Sequence, residues 1–470
     1  MHSATLDHRR LGFIVNGPNQ LTQIRFILFC FVTVVVSPAQ TFTTLANFNQ
    51  ANGDEPYYVS LAQGFDGNFY GTTLAGGTHG QGTVFTISTE GSLKVIYSFY
   101  SASGYNPSAG VVLAADGSFY GAAVNGGAVP SCGTLFSITA GGTLTVLHSF
   151  NMTDGCYPYA LVQATDGNFY GTTRAGGAGG YGTVFRMTPA GTLTTLHSFG
   201  SSDGADPYGA LTQATNGTLY GTTDQAGANG YGTIFEITLQ GALTTLHSFD
   251  SSDGAYPIAG LIQATSGDLY GTTTGGGAND YGTVFKVTPE GTLTTLHSFD
   301  SSDGAIPYAP LVQATDGNFY GVTGQGGADG YGTIFRIAAD GSLKTLHNFD
   351  SAGGATPEGA LTQGTDGNLY GTTVAGGAKG DGTVFRLPVG LGPFVKTLPS
   401  WGTAGAVIGI LGMNLSGATS VDFNGTAAAF TIVSSTQITA TVPAGATTWK
   451  IQVTTPDGKL SSNVAFRVTP

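Results

Sequence analysis

A two-residue pair, Tyr-Gly, recurs at a fixed interval of 50 residues along most of this 470-residue chain. It begins at Tyr70, Tyr120, Tyr170, Tyr220, Tyr270, Tyr320 and Tyr370. Self-similarity at one period means that a single supersecondary unit has been copied, and that neighbouring copies bury their apolar faces against each other. The fold of one unit therefore decides the fold of most of the chain.

Each unit contains four strand-like runs separated by short turns. In the fifth unit the runs are residues 261–265, 269–273, 283–288 and 292–299, with turns at Ser266-Gly267-Asp268 and Pro289-Glu290-Gly291. Turns this short make neighbouring strands antiparallel, because a parallel crossover needs about a dozen residues or more. Antiparallel four-stranded units repeated around an axis form a propeller, and the period of about fifty fits that class. A β-solenoid is the alternative, but its parallel coils would not need hairpin turns.

The two ends of the repeat array are complementary. The last unit stops after its third run, at residues 383–387, and lacks a fourth. An extra copy of the fourth run, Phe-Thr-Thr-Leu-Ala-Asn-Phe at residues 42–48, precedes the first unit. We therefore predict an all-β fold with a seven-bladed β-propeller of four antiparallel strands per blade, whose N-terminal strand completes the last blade. Such closure hides the sheet edges that an open array would expose.

The first 39 residues have the pattern of a secretory signal peptide. Arg9, Arg10 and Arg25 supply positive charge, residues 27–36 form an apolar run, and Ser37-Pro38-Ala39 offers small residues for cleavage. This run is too short to span a bilayer, which takes about twenty residues. We expect export from a bacterial cell, with a final location in the periplasm, on the cell surface or in the medium.

The charge of the remaining chain narrows the classes of partner. Without residues 1–39 it holds 12 basic and 27 acidic side chains, for a net charge of −15. Such a surface suits neither nucleic acid nor anionic membranes, because both are bound through Lys and Arg. The sequence has no second apolar segment long enough for a membrane anchor. We expect a monomer with no membrane span after signal removal, no nucleic-acid partner and no cofactor.

The motif Tyr-Gly-Thr-Thr, followed by Gly-Gly and then Gly-Thr-Val-Phe, resembles the Gloeo_Verruco (GloVer) tandem repeats of exported bacterial proteins. The resemblance covers residues 42–387, and the second unit departs from it, with Tyr120-Gly121-Ala122-Ala123. It implies a surface or secreted location. The resemblance implies no established activity, and the family has no catalytic residues to assign to this chain.

Beyond residue 393 the repeat ceases and a second pattern begins. The segments at residues 412–415, 418–425, 436–443 and 453–458 resemble an IPT/TIG domain. That family implies an immunoglobulin-like β-sandwich, common as a spacer or interaction module in surface proteins. Short alternating strands with frequent turn residues independently favour a small sandwich. We expect a propeller over residues 40–390, a linker at 388–393 rich in Gly and Pro, and the sandwich over 391–470.

The direction of the strands brings two sets of loops to one face of the propeller. The loop between the second and third strands and the loop that joins one blade to the next both lie there. The candidate ligand-binding residues in these loops are Tyr181, Tyr231, Tyr281, Tyr331, Asp203, Asp253 and Asp303. Aromatic rings beside carboxylates could stack on sugars and accept hydrogen bonds from their hydroxyls. A structural interpretation is stronger, because Asp-Gly suits turns and a residue present in most blades usually serves the fold.

Repeated histidines raise the question of a metal ring. They are His148, His197, His247, His297 and His347. All lie on fourth strands, at the outer rim of the predicted propeller, where blades diverge and side chains cannot converge on one ion. We therefore expect packing or surface histidines and no metal site.

No catalytic motif is present in the sequence. It contains no nucleophile elbow, no phosphate-binding loop with Lys and no His-Glu metal motif. Glu55, Asp224 and Glu358 are acids that break the repeat, and an enzyme would place its acids at such positions. Nothing in the sequence brings two of them together, so we expect no enzymatic activity.

A disulfide is predicted between Cys132 and Cys156, the only cysteines left after signal removal. Cys132 replaces the loop tyrosine equivalent to Tyr181, and Cys156 replaces the alanine equivalent to Ala205 in a blade-joining loop. Both loops leave the propeller on the same face. Two buried free thiols are the alternative.

Three functions remain open on the sequence alone. The leading hypothesis is an exported, non-catalytic binding or interaction module for a polysaccharide or a surface protein. The second is a purely structural spacer of a cell-surface assembly, and the third is a polysaccharide-active enzyme. Converging non-repeated acids would favour the enzyme, and an exposed aromatic cluster on the loop face would favour binding.

Overall fold

A computed structural model describes residues 41–128 and 132–469 of the chain. The predicted signal peptide, residues 1–39, lies outside the described residues. Strands and turns make up nearly all of the described chain, with short 3₁₀ turns at Ser101–Ser103 and Leu415–Gly417. Within these ranges, a helix with the length and hydropathy of a membrane span does not occur. The all-β class predicted from the sequence is confirmed.

The repeat units form seven four-stranded sheets, the blades, which we number by repeat unit. The first strands are β2 (Ala62–Gln63), β6 (Val112–Leu113), β10 (Cys156–Gln163), β14 (Thr212–Gln213), β18 (Ile262–Gln263), β22 (Val312–Gln313) and β26 (Thr362–Gln363). The second strands are β3 (Phe69–Thr73), β7 (Phe119–Ala123), β11 (Phe169–Ala175), β15 (Leu219–Thr223), β19 (Leu269–Thr273), β23 (Phe319–Thr323) and β27 (Leu369–Thr373). The third strands are β4 (Thr83–Ile87), β8 (Thr134–Ile138), β12 (Thr183–Met187), β16 (Thr233–Ile237), β20 (Thr283–Val287), β24 (Thr333–Ile337) and β28 (Thr383–Leu387). The fourth strands are β5 (Leu93–Ser98), β9 (Leu144–Ser149), β13 (Leu193–Ser198), β17 (Leu243–Ser248), β21 (Leu293–Ser298), β25 (Leu343–Asn348) and, for the seventh blade, β1 (Thr43–Asn47).

The short turns of each unit produce hairpins, as the sequence predicts. In the fifth blade, β18, β19, β20 and β21 pair in chain order and antiparallel. The turn between β18 and β19 closes through the N–H of Gly267, which donates to the carbonyl of Ala264 at 2.9 Å. Gly267 has a φ of +97°, a conformation that a side chain would strain, so the turn requires glycine there.

The Tyr-Gly pair that marks each unit packs one blade against the next. The Tyr70 ring lies 4.1 Å from the Phe119 ring of the next blade, and its hydroxyl donates to Asp66 at 2.8 Å. Gly71 lies opposite Phe85, and a Cβ on this glycine would come within 2.6 Å of the Phe85 ring. The tyrosine therefore fills the space between blades, and the glycine makes room for the phenylalanine of its own blade.

A belt of glutamines also joins neighbouring blades. The N–H of Thr165 donates to Oε1 of Gln213 in the next blade at 2.8 Å. The same bond links Ala115 to Gln163, Thr215 to Gln263, Thr265 to Gln313, Thr315 to Gln363 and Thr365 to Gln63. The belt explains why glutamine recurs at the end of the first strand of a unit, a feature to which the sequence alone gives no role.

The ring closes through the N-terminal strand, as predicted. β1 pairs antiparallel with β28, with Thr43 opposite Arg386. The seventh blade also packs against the first, since the Tyr370 ring lies 4.2 Å from the Phe69 ring. The seven-bladed propeller predicted from the split repeat is confirmed.

The C-terminal residues form the predicted immunoglobulin-like β-sandwich. One sheet contains β29 (Lys396–Leu398), β31 (Val407–Leu411), β35 (Gln437–Thr441) and β34 (Phe430–Ile432). The other contains β33 (Thr426–Ala427), β32 (Ser420–Phe423), β36 (Ile451–Thr455) and β37 (Gly458–Ser461). A parallel pair, β30 (Trp401–Gly402) and β38 (Arg467–Val468), completes the domain. Apolar side chains from both sheets, among them Ile410, Phe423, Ile438 and Val453, form its core.

The sandwich packs against the turns between first and second strands, at the first and seventh blades. Thr436 Oγ1 donates to the carbonyl of Phe65 at 2.7 Å, and the Phe65 ring lies against the backbone of Gly409. Lys396 Nζ donates to the carbonyl of Gln363 at 2.6 Å. We call the face that holds these turns the lower face. The sandwich thus leaves the opposite, upper face of the propeller uncovered.

Candidate ligand site at the upper face

Two sets of loops meet on the upper face, as the strand directions predict. At the junction of blades three and four, the N–H of Asp206 donates to the carbonyl of Tyr181 at 3.1 Å, and Ala205 bridges Gln225. The equivalent backbone bond, from the residue before a proline to the loop of the preceding blade, occurs at all seven junctions with N···O distances of 3.0 to 3.3 Å. The donor–acceptor pairs are Glu55–Asp381, Asn106–Gln81, Tyr157–Cys132, Asp206–Tyr181, Tyr256–Tyr231, Ile306–Tyr281 and Thr356–Tyr331.

The tyrosines predicted to bind ligand lie on this face, outside the central cavity. Tyr181, Tyr281 and Tyr331 are 41%, 41% and 43% exposed, respectively. Tyr231 is less exposed, and its ring lies 6.1 Å from the Tyr256 ring. Their backbone carbonyls serve the blade junctions, so the position has a structural role whichever side chain it carries. A role for these rings in binding stays a prediction.

The aspartates predicted to bind ligand make contacts within the fold. Oδ2 of Asp203 lies 2.8 Å from Nε2 of His197, and Oδ1 accepts a hydrogen bond from the N–H of Gly200 at 2.7 Å. Asp253 and Asp303 hold His247 and His297 in the same way, at 2.8 and 2.7 Å. These contacts favour the structural interpretation of the aspartates, and a role in binding stays a prediction for them too.

The repeated histidines serve separate blades. His148, His197, His247 and His297 each pair with the aspartate of their own unit. His347 has no such aspartate, and its ring stacks on Phe42 at 3.9 Å. Burial lowers the pKa of His347. In the part of the chain that the structure describes, no three His, Cys, Asp or Glu side chains are grouped so that they could hold a metal ion.

The predicted disulfide is present. Cys132 and Cys156 are bonded, with their Cα atoms 4.3 Å apart. The carbonyl of Cys132 also accepts the junction hydrogen bond from Tyr157 at 3.0 Å. The bond therefore covalently joins the second and third blades on the upper face, at the one junction that has cysteines.

A cavity of about 140 Å³ lies at the centre of the ring. In each unit a proline lies before or within the first strand. The residues that directly follow these seven prolines are, in chain order, Tyr57, Ser108, Tyr159, Tyr208, Ile258, Tyr308 and Glu358. The side chains that rim the cavity include Tyr58, Tyr159, Tyr208, Ile258, Tyr308 and Glu358. We call this group, together with Tyr57, the channel mouth. It gathers residues from six of the seven blades.

An unusual backbone conformation sets up the channel mouth. The residue before each of these prolines has a φ between 53° and 61°. A non-glycine residue in this left-handed region costs on the order of 1 kcal/mol or more, so the surrounding structure must hold it in place. The junction hydrogen bond, which this same residue donates, is the contact that holds it at every blade.

Tyrosines form two clusters at the channel mouth. On one side the rings of Tyr159 and Tyr208 lie 4.9 Å apart. On the other side the Tyr58 ring lies 4.2 Å from Tyr57 and 5.8 Å from Tyr308. Burial raises the pKa of Tyr159 to about 12, so its phenol is neutral at physiological pH and can donate a hydrogen bond.

Two of the acids that break the repeat are buried, Glu358 in the lining of the cavity and Asp224 beside Arg174 and Asp206. Glu358 is 7% exposed and Asp224 is 8% exposed. Within the described residues, Oε2 of Glu358 and Oδ1 of Asp224 are buried and have no hydrogen-bond partner. Burial, and then the charge of Glu55, raises the pKa of Glu358 to about 7. Burial raises the pKa of Asp224 to about 6, with Asp206 adding to the effect.

Arg174 lies at one side of the channel mouth, next to Tyr208 and Asp206. The guanidinium of Arg174 lies 5.0 Å above the Tyr208 ring, and its Nε lies 4.0 Å from Oδ1 of Asp206. Its charge also counteracts the raised pKa of Asp224. We call Arg174, Tyr159, Tyr208, Asp206 and Asp224 the Arg174 side. Glu358, Glu55, Tyr57, Tyr58 and Tyr308 form the Glu358 side.

The sequence signal for this site lies in the positions that vary between repeat units. Positions that serve the fold, such as the Tyr-Gly pair, are nearly constant between units, whereas the position after the proline changes from Tyr to Ser, Ile or Glu. Arg174 and Asp224 occupy another variable position, equivalent to Leu74 in the first unit. Both variable positions meet at the channel mouth. Glu55, Asp224 and Glu358 are exceptions to the repeat in the sequence, and the structure places Glu55 near Glu358 and Asp224 near Arg174.

Family models match both parts of the chain. A model described as the Gloeobacter/Verrucomicrobia repeat matches residues 32–228 and 213–409, and the IPT/TIG domain model matches residues 394–468. Both resemblances identified from the sequence are confirmed. No curated protein matches the chain.

Two solved structures share the architecture at low sequence identity. A fungal alcohol oxidase of the AA5 family, solved in complex with copper, is 16% identical with a TM-score of 0.53 and covers 92% of this chain and 100% of its own. The extracellular domain of a hybrid two-component system from B. thetaiotaomicron is 11% identical with a TM-score of 0.50, and covers 92% of this chain and 58% of its own. At such identities the likeness shows the fold alone.

Proposed function

We propose that this chain, which belongs to the Gloeobacter/Verrucomicrobia repeat family, is an exported, non-catalytic binding module that holds a saccharide at the channel mouth. The observation that supports this function most is the location of the positions that vary between repeat units. In a scaffold of nearly identical units, variable residues converge on one cavity and supply it with tyrosines and with the buried carboxyl group of Glu358. Residues that vary where the scaffold is constant are available for recognition.

The chemistry of the channel mouth suits a sugar. Tyrosine rings offer flat apolar faces to the C–H groups of a pyranose, and their hydroxyls donate or accept hydrogen bonds. The free oxygen of Glu358, which lines the cavity, can accept a hydrogen bond from a sugar hydroxyl, and this would remove the cost of leaving it buried and unpaired. The cavity of about 140 Å³ is below the roughly 300–1,000 Å³ typical of drug-sized ligands. It therefore suits one terminal unit of a glycan rather than an internal stretch.

The rest of the chain fits an extracellular binding role. The disulfide and the IPT/TIG domain agree with an extracellular location, where disulfides persist. The sandwich covers part of the lower face and leaves the channel mouth accessible on the other face. It can thus serve as the connection to a larger surface assembly.

A glycan array probed with the chain from residue 40 onward tests this function. We expect binding of a restricted set of glycans, and loss of most of that binding in Tyr208→Ala and in Tyr308→Ala. The matched control is Tyr181→Ala, which removes a solvent-exposed ring of the upper face outside the cavity. Loss of binding in Tyr181→Ala with no loss in the other two variants would place the site on the exposed rings instead. Absence of any glycan signal would favour the spacer.

A second candidate is a polysaccharide-active enzyme, and the Glu358–Glu55 pair is the observation that favours it. Two neighbouring carboxyl groups, one with its pKa raised to about 7, resemble the acid and the carboxylate of glycoside hydrolysis. We expect no turnover of common polysaccharides by the purified chain. Release of reducing ends that is abolished by Glu358→Gln or Glu55→Gln would establish the enzyme instead.

A further inference from the structure

The two sides of the channel mouth differ in electrostatic balance. On the Arg174 side, the guanidinium faces both Asp206 and Asp224, so positive charge offsets negative charge. On the Glu358 side, the one charged group that acts appreciably on Glu358 among the described residues is another acid, Glu55. When Glu358 is ionised, its negative charge therefore lies next to the cavity without a cation that balances it.

Three tyrosines border this negative charge. Tyr58 and Tyr308 line the same cavity as Glu358, and the Tyr58 ring lies 4.2 Å from the Tyr57 ring and 5.8 Å from the Tyr308 ring. Aromatic faces carry negative potential and attract cations, more strongly where water is excluded. A carboxylate and aromatic rings that line one cavity together can hold a positive charge, and we call this arrangement the cage.

One carboxylate oxygen in this cage lacks a partner. Oε2 of Glu358 is buried at the edge of the cavity without a hydrogen bond from any described residue. A buried charge without a partner is costly, and a ligand that supplies both a positive charge and N–H donors would remove that cost. A neutral hydroxyl supplies only the hydrogen bond, and an anionic group would be repelled.

We propose that the Glu358 side binds a protonated amine, so that the preferred ligand is a glycan whose terminal sugar carries a free amino group. This rests on the proposed saccharide function and narrows its ligand class. An ammonium group fits the cage better than a metal ion, because the described residues offer no cluster of three His, Cys, Asp or Glu side chains there. The Arg174 side holds the remainder of the sugar through Tyr159 and Tyr208.

The test compares two oligosaccharides of equal length, a glucosamine oligomer with free amines and its fully N-acetylated counterpart, by isothermal titration at pH 7. We expect the free amine to bind at least about tenfold more tightly, as a desolvated cation–π contact and an ion pair allow. In Glu358→Gln this preference should fall to about twofold or less. Glu290→Gln, which removes an exposed acid of a lower-face turn, should leave it unchanged.

The outcomes separate this inference from the function on which it rests. Equal or tighter binding of the acetylated oligomer would overturn the amine assignment and leave saccharide binding standing. Binding of another, amine-free glycan from the array but of neither oligomer would have the same meaning. No binding of any glycan would overturn both. A preference that persists in a folded Glu358→Gln variant would show that the amine lies elsewhere, and the wild-type comparison stands even if that variant does not fold.

Discussion

Replacement of Phe48 by alanine tests whether the N-terminal strand holds the ring together. Phe48 directly follows β1, is fully buried, and lies 5.1 Å from the Phe85 ring of the first blade. Removal of a buried phenylalanine side chain costs about 3–5 kcal/mol. For a folded chain of this length that corresponds to a fall in Tm of roughly 3–6 °C.

The repeat supplies a matched control in Phe249. It occupies the same position after the fourth strand of the fourth blade, is equally buried, and lies 5.3 Å from the Phe285 ring. We expect Phe48→Ala and Phe249→Ala to lower Tm by similar amounts, measured by circular dichroism. Deletion of residues 41–48 should cost more, since it also removes the pairing with β28 and the stacking of Phe42 on His347. A loss in Phe249→Ala without any loss in Phe48→Ala would refute closure by the N-terminal strand.

Three further predictions concern the disulfide, the glutamine belt and the channel mouth. Reduction of the Cys132–Cys156 bond should destabilise the chain by about 3 kcal/mol, and dithiothreitol should lower the Tm of the wild type but not that of the double serine variant. Gln213→Ala should cost about 1–2 kcal/mol in urea unfolding, because it leaves the N–H of Thr165 without its side-chain acceptor. The pKa of Glu358 is about 7 in the folded chain, above its ordinary value. Between about pH 4.5 and 7 the folded state therefore holds a proton that the unfolded state releases. The free energy of unfolding should fall as pH rises through this range. Glu358→Gln should flatten that part of a plot of Tm against pH, and an unchanged slope would contradict the burial of this carboxyl group.

The sequence predicts the scaffold well because short-range chemistry determines it. Glycine turns fix the hairpins, the copied unit fixes the blade, and the displaced strand at residues 42–48 fixes closure. The disulfide was also predictable, since the strand directions bring the loops of Cys132 and Cys156 to one face.

The channel mouth was not predictable, because it depends on long-range geometry. Glu358 and Glu55 are about 300 residues apart and meet only when the ring closes. Repeated tyrosines such as Tyr181 are the regular feature from which a binding role is predicted, yet regular residues mostly serve the fold. The residues that indicate the ligand site are those after each proline, which differ from unit to unit. Which of the variable positions faces the cavity depends on the left-handed backbone conformation before that proline.

That turn has a consequence for how new binding specificities could arise on this scaffold. Each blade junction is held by backbone atoms, the N–H of the residue before the proline and a carbonyl of the preceding loop. Stability at the junction is therefore largely independent of the side chain that follows the proline. A gene built from such units can exchange this side chain in one blade while the others stay as they are. The ring thus behaves as a set of separately interchangeable positions around one opening, suited to rapid diversification of the ligand without redesign of the fold.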